Sequence, residues 1–222
     1  MGNIINHEHP KYVAVRNLLG PQGRYNGAYY YSVEICERMI PLIKTDRQWI
    51  TVNIKDPELA EDGAIVFIHR HHYQKAGAYD WLKGKKDLIL VCSLKDDLEH
   101  FEHLGTPIYL PLSVDVEYVK QFRTKKTRKA AFVGREERAQ EMRLPWNIRH
   151  ISGLPREDLL KAMARYRIVY ALDRVAIEAQ ILGCEVRPYP DRWIVLDNTE
   201  AAGLLRNELD RIDGQITETE GP

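Results

Sequence analysis

Short apolar or β-branched runs alternate along this chain with longer segments whose apolar residues recur at helical spacing. That alternation predicts βα units and parallel sheet. In the first half the runs predict strands at residues 12–16, 49–54, 64–69, 87–92 and 108–110, with helices at 28–43, 73–82 and 94–104. The second half repeats the rhythm, with strands at 130–133, 148–151, 168–171, 185–187 and 193–196 and helices at 136–142, 156–166, 175–182 and 200–212. Ile65-Val66-Phe67-Ile68 and Leu88-Ile89-Leu90-Val91 are apolar at consecutive positions, as strands covered on both faces require. Pro41 predicts a kink or an end to the first helix. Pro155, ahead of Arg156-Glu157-Asp158, predicts a helix start with acids where the helix dipole favours them. The polar tail from Gly214 onward is expected to fray.

Composition sharpens this picture. The 222 residues, 44% of them hydrophobic, can bury a core as one large α/β domain or as two compact ones. Acids and bases number 32 each, so no global positive charge is available to hold nucleic acid. A local basic run remains at Arg123, Lys125, Lys126, Arg128 and Lys129; it reads either as a solvated linker between two domains or as a phosphate- or acceptor-facing patch. Cys36, Cys92 and Cys184 lie far apart in apolar stretches, which predicts buried thiols and a reducing compartment. The first residues lack the apolar core of a signal peptide, and no segment approaches the roughly 20 apolar residues of a bilayer-spanning helix. A cytoplasmic chain without a transmembrane segment is expected.

Four features carry candidate chemistry. Residues 20–27 form a loop after a predicted strand, in which Gly23 and Gly27 permit close backbone approach to phosphates; an ordinary βα turn uses the same residues. His69-Arg70-His71-His72 ends the most apolar strand, at the carboxyl side where open α/β sheets bind ligands. His69 and His71 can donate to a hydroxyl or accept a proton, and an inert surface cluster is the alternative. No acidic or cysteine partner at ligand spacing supports a metal there, and no metal site is expected. Gly134-Arg135 closes a strand with a flexible turn and a planar cation suited to a diphosphate, unless Arg135 simply pairs with Glu136 or Glu141. In the segment from Asp173 to Gly183, Glu178 is an acid among Val175, Ile177, Ile181 and Leu182. Such a carboxylate needs a partner, either the two hydroxyls of a ribose or a salt bridge to Arg174 or Arg187.

Taken in order, these features resemble the GT-B glycosyltransferases, in particular the retaining group that includes glycogen and sucrose synthases and bacterial mannosyl- and glucosyltransferases. The stretch from Asp62 to His71 is similar to that group's D-x-hydrophobic-H-x-H strand end, and Ser93 to the serine closing the next strand. Leu110-Pro111-Leu112-Ser113-Val114-Asp115 resembles its I-P-N-G-V-D crossover, and Phe132-Val133-Gly134-Arg135 its F-V-G-R opening of the C-terminal domain. His150 to Met163 resembles the stretch G-x-hydrophobic-x-x-x-E-L-hydrophobic-x-x-Y, and Ile177-Glu178-Ala179 through Gly183-Cys184-Glu185-Val186 resembles E-A-x-x-x-G-x-P-V.

The resemblance implies a compact GT-B fold, two Rossmann-like α/β domains facing each other across a cleft. Residues 1–117 would form the acceptor side and residues 118–222 the nucleotide-sugar domain. It implies that Glu178, with Asp173 nearby, binds the ribose, that Arg135 contacts the diphosphate, and that Gly23 and Gly27 close over the donor phosphates. His69 would hydrogen-bond the transferred sugar, with His71 beside it. The expected donor is a UDP- or GDP-sugar with no tightly bound cofactor; the acceptor is a saccharide, a lipid-linked sugar, a protein or a modified DNA base. The chain departs from the family at three points. The lysine after Gly-Arg is absent and Arg138 is its nearest substitute, the first acid of the paired glutamates is Tyr170, and the crossover asparagine and glycine are Leu112 and Ser113. A nucleotide-binding protein without turnover on the same scaffold is the alternative expectation.

Overall fold

The structure, a computed structural model, describes residues 12–16, 33–43, 49–53, 62–68, 80–188 and 194–219. The chain is mixed α/β, and every strand pairing among the described residues is parallel. Strands β1 (Tyr12–Arg16), β2 (Trp49–Asn53), β3 (Ile65–Ile68), β4 (Ile89–Cys92) and β5 (Thr106–Tyr109) form one sheet in the order β2-β1-β3-β4-β5. The short β6 (Ser113–Val114) pairs with β11 (Leu196–Asp197). Strands β7 (Arg128–Val133), β8 (Arg149–Ile151), β9 (Tyr166–Tyr170) and β10 (Glu185–Arg187) form a second sheet in the order β10-β9-β7-β8. The α-helices are α1 (Leu98–Phe101), α2 (Val116–Lys120), α3 (Glu136–Glu141), α4 (Arg156–Met163), α5 (Asp173–Ile181) and α6 (Asn198–Thr219).

These elements fall into two compact units. The first holds β1 to β5 and α6 from Ala202 onward; the second holds Glu34, β6 to β11, α2 to α5 and the first turn of α6. In the first unit, every residue of β3 and β4 is buried, as the consecutive apolar runs require. Ala64, Val66, Ile68, Leu88, Leu90 and Cys92 pack with Leu82 and Phe101 on one face. In the second unit alternate residues of one strand serve two cores: Ala131 and Val133 pack with Val169, Ile177 and Leu160, while Phe132 packs with Tyr170 and Met142. Both faces of that sheet are therefore covered. Fully burying a side chain such as Leu160 or Ile177 contributes about 2 kcal/mol each.

The predicted strands coincide with observed ones to within two residues wherever those residues are described. The helices depart more. Within the predicted helix 28–43 the described part winds as a π-helix over Glu34–Met39 and a 3-10 turn over Ile40–Leu42, ending at an extended Ile43. Pro41 removes the N–H that would bond residue 37 in an α-helix and crowds that carbonyl, so a regular ladder cannot pass it. The predicted helix 156–166 stops at Met163, because Tyr166 opens β9 and its ring is needed in the core. The tail does not break at Gly214; α6 runs on to Thr219, since one glycine costs only about 1 kcal/mol against flanking helix formers. The predicted helix 94–104 shortens to a 3-10 turn over Lys95–Asp97 and the single turn of α1.

Candidate functional site

The second unit's sheet reverses its winding between β7 and β9: β8 lies on one side of β7, and β9 and then β10 on the other. In an open parallel sheet this reversal splays the two following connections apart and opens a crevice at the strands' carboxyl ends. Here Phe132 stands in register with Tyr170, so the two carboxyl ends adjoin. The β7 end leads through Gly134 and Arg135 into α3, and the β9 end leads through Ala171 and Leu172 into α5.

Each residue at this point has a local reason. A Cβ on Gly134 would stand 2.9 Å from the buried Phe132 ring, so the turn can pass over that ring only as glycine. The Gly134 carbonyl accepts from His150 Nε2 at 2.6 Å, which sets the imidazole tautomer. Arg135 is exposed in extended conformation immediately before α3, and Arg138 follows one turn later, half-buried. Asp173 is exposed at the first position of α5 with φ +56°, in the left-handed region that a short polar side chain tolerates best. The residue before it provides no side-chain cap, so the first amides of this nine-residue helix are not covered by one. The adjoining carboxyl ends of β7 and β9 thus lead into a cation, an acid and helix amides, residue types suited to a phosphate beside a hydroxylated sugar.

Glu178 has a different surrounding. It is 0% exposed on the inner face of α5. Its Oε1 accepts from Arg174 Nη1 one turn back, and Arg156 Nη2 lies 3.1 Å from the same oxygen. Arg156 Nη1 also donates to Glu34 Oε2, and the Arg156 guanidinium lies 5.4 Å over the Tyr118 ring. Glu34 Oε1 in turn accepts from Asn198 Nδ2 and from the Asp115 amide, each at 2.7 Å. Two acids and two arginines balance in one buried network, which is how such charges survive out of water. Burial alone would lower the Arg156 pKa, but Glu178 and then Glu34 outweigh it and raise it. Glu178 Oε2 and Arg156 Nε have no hydrogen-bond partner among the described residues, so Coulomb attraction rather than complete hydrogen bonding holds the group. Of the two salt-bridge partners considered from sequence, Arg174 is the one used; Arg187 pairs with Glu185 at 2.6 Å.

The structure therefore gathers Gly134, Arg135 and Asp173 at the switch point, sets Arg138 one turn away, and encloses Glu178 within the unit. Gly23, Gly27, His69 and His71 lie outside the described residues. Sequence reasoning missed Glu34, Arg156 and Asn198 as partners; a buried acid needs a cation, but nothing local says that residue 156 supplies it. Two members of the basic run are engaged locally. Lys126 Nζ donates to the Ala164 and Leu182 carbonyls at 2.9 and 2.8 Å and contacts Cys184 Sγ at 3.1 Å, and Arg123 Nε donates to the Ile181 carbonyl at 2.6 Å. These cations hold the carboxyl ends of α4 and α5 rather than lining a free linker.

Among the described residues no group of three or more His, Cys, Asp or Glu could hold a metal ion, and no helix is long and apolar enough to cross a membrane. No protein-family model matches the chain, and comparison with curated proteins finds no match.

Proposed function

We propose that this chain is a compact two-domain glycosyltransferase of GT-B type, which binds a UDP- or GDP-sugar and transfers its sugar to an acceptor. The observation that carries this reading is the switch point, where the adjoining carboxyl ends of β7 and β9 lead into Gly134-Arg135 and the start of α5. In the proposal Arg135 and the α5 amides hold the diphosphate, and the exposed acid for the ribose is Asp173, because Glu178 is engaged inside. Gly23, Gly27, His69 and His71 keep the roles that the family resemblance implies. Sugar transfer builds positive charge on the ring and negative charge on the leaving diphosphate, so a fixed cation at the diphosphate lowers the barrier.

A thermal-unfolding screen against UDP, GDP, ADP and their sugar conjugates tests this. A ligand at 100 times its dissociation constant should stabilise the fold by about 2.7 kcal/mol. Arg135→Ala should weaken that ligand and, in a transfer assay, lower kcat by about 10²-fold. No stabilisation by any member of the panel would overturn the proposal. The sealed state of Glu178 favours one second reading, a nucleotide-sugar-binding protein without turnover. Tight nucleotide binding with neither transfer nor hydrolysis would select it.

A further inference from the structure

We propose that the second unit carries another binding site, for a small phosphate-type anion, at the edge of its sheet along β8. A cavity of about 200 Å³ opens there, lined among others by Arg128, Arg149, His150, Ser152, Arg165 and Tyr166. Three of its lining residues are arginines and none is an acid. The chain as a whole has zero formal net charge, so this excess is local and not the by-product of a basic protein.

Among the described residues no acid pairs with these arginines. Arg128 is fixed in place, its Nη1 donating to the Tyr166 hydroxyl at 2.9 Å and its guanidinium 5.5 Å from the centre of the Tyr166 ring. The Arg149 and Arg165 side chains make no hydrogen bond or ion pair among the described residues. Among the described residues β8 pairs only with β7, so its outer edge offers backbone groups that those strands do not use. Planar guanidinium forks around one cavity match the oxygens of a phosphate, and the Ser152 hydroxyl adds a neutral donor.

Size narrows the class. Sites for whole organic ligands run from about 300 to 1,000 Å³, so this cavity suits a phosphate or diphosphate group rather than an entire nucleotide-sugar. Its arginines lie away from the switch point, although His150, which also lines it, bonds the Gly134 carbonyl there. Arg128, Arg149 and Tyr166 are the first residues of β7, β8 and β9, whereas the switch point lies at the carboxyl ends of β7 and β9.

The test is calorimetric titration of the full chain with inorganic phosphate and with inorganic diphosphate, at constant ionic strength in chloride buffer. Saturable binding is expected, stronger for diphosphate. It should survive Arg135→Ala and, in that Arg135→Ala background, weaken at least tenfold in the double variant Arg149→Ala, Arg165→Ala. Both side chains are exposed, so the melting temperature of that variant without phosphate should match the parent. The double variant Arg149→Lys, Arg165→Lys, which keeps the charge but loses the fork, should fall between the two. Absence of saturable binding, unchanged affinity in the alanine variant, or loss of binding in Arg135→Ala would each overturn the proposal. So would a labelled single-stranded oligonucleotide that binds more tightly than diphosphate with the same arginine dependence, since that assigns the surface to nucleic acid.

Discussion

At the scale of single residues, the buried charges decide more than any exposed motif. Glu34 and Glu178 are 1% and 0% exposed, and Arg156 touches both. Removing one member of such a group leaves an uncompensated charge out of water, typically at a cost of about 3–5 kcal/mol. Arg156→Met should therefore lower the free energy of unfolding by about that amount in urea titrations. A loss under about 1 kcal/mol would mean that water reaches the network. The cysteines respond to burial in the opposite sense. Burial, helped by the nearby Asp97 charge, pushes the Cys92 thiol up to about 12, so almost none of it is thiolate near neutrality. Cys184 is also raised, by burial, against the opposing pull of Lys126. In native protein at pH 8, iodoacetamide should modify the part-exposed Cys36 first and leave Cys92 intact; mass spectrometry of the digested protein checks this.

At the scale of elements, helix ends carry the information. Helix α5 closes with Gly183 at φ +77°, the Gly183 amide bonding Gln180 and the Cys184 amide bonding Ala179. That paired closure requires a residue without a Cβ penalty in the left-handed region. The same end is bound from outside by Lys126, whose three ammonium hydrogens have three acceptors in two helix ends and one thiol. Lys126→Met keeps the apolar stem but strips those donors, and should cost about 1–3 kcal/mol in the same urea experiment. A neutral result would show that water replaces the ammonium without penalty. The opening of α5 works the other way: Leu172 before it supplies no side-chain cap, and Asp173 holds a backbone conformation that most residues avoid. A closed carboxyl end and an amino end that Leu172 leaves uncapped give the helix the polarity that the proposed anion site needs.

At the scale of the molecule, two parallel sheets are each built around a reversal of winding, with orders β2-β1-β3-β4-β5 and β10-β9-β7-β8. Asp197 ties distant segments of the second unit, accepting from the Thr199 amide at 2.8 Å and from the Val116 amide at 3.2 Å. Burial would raise its pKa, yet these hydrogen bonds together lower it below the usual value. The folded state therefore prefers the ionised form. Its contribution is complete above the unfolded carboxylate value near 3.9 and is lost as pH falls through the lower folded value. Urea stability measured from pH 5 down to pH 2 should fall in that range, and Asp197→Asn should flatten the fall. An unchanged slope in the variant would move the acid sensitivity elsewhere.

The alternation of apolar runs and helical spacing was enough to set the strands and their parallel character, because burial on both faces leaves a sequence only one economical arrangement. The turn at Gly134-Arg135, between β7 and a helix, was legible for the same local reason. What sequence decided only in part was the partner of each charge. Glu178 announced a need by its apolar neighbours, and Arg174, one turn back, was legible as a partner; its second cation Arg156 is on another helix, and Glu34 lies further away still along the chain. The basic run read as a solvated linker or as a phosphate-facing patch, and nothing local showed that Arg123 and Lys126 would hold the carboxyl ends of α4 and α5. Periodicity is a property of neighbours in sequence, and it fixes which face of an element is buried. Charge pairing acts between neighbours in space, and only the tertiary structure decides which of those meet.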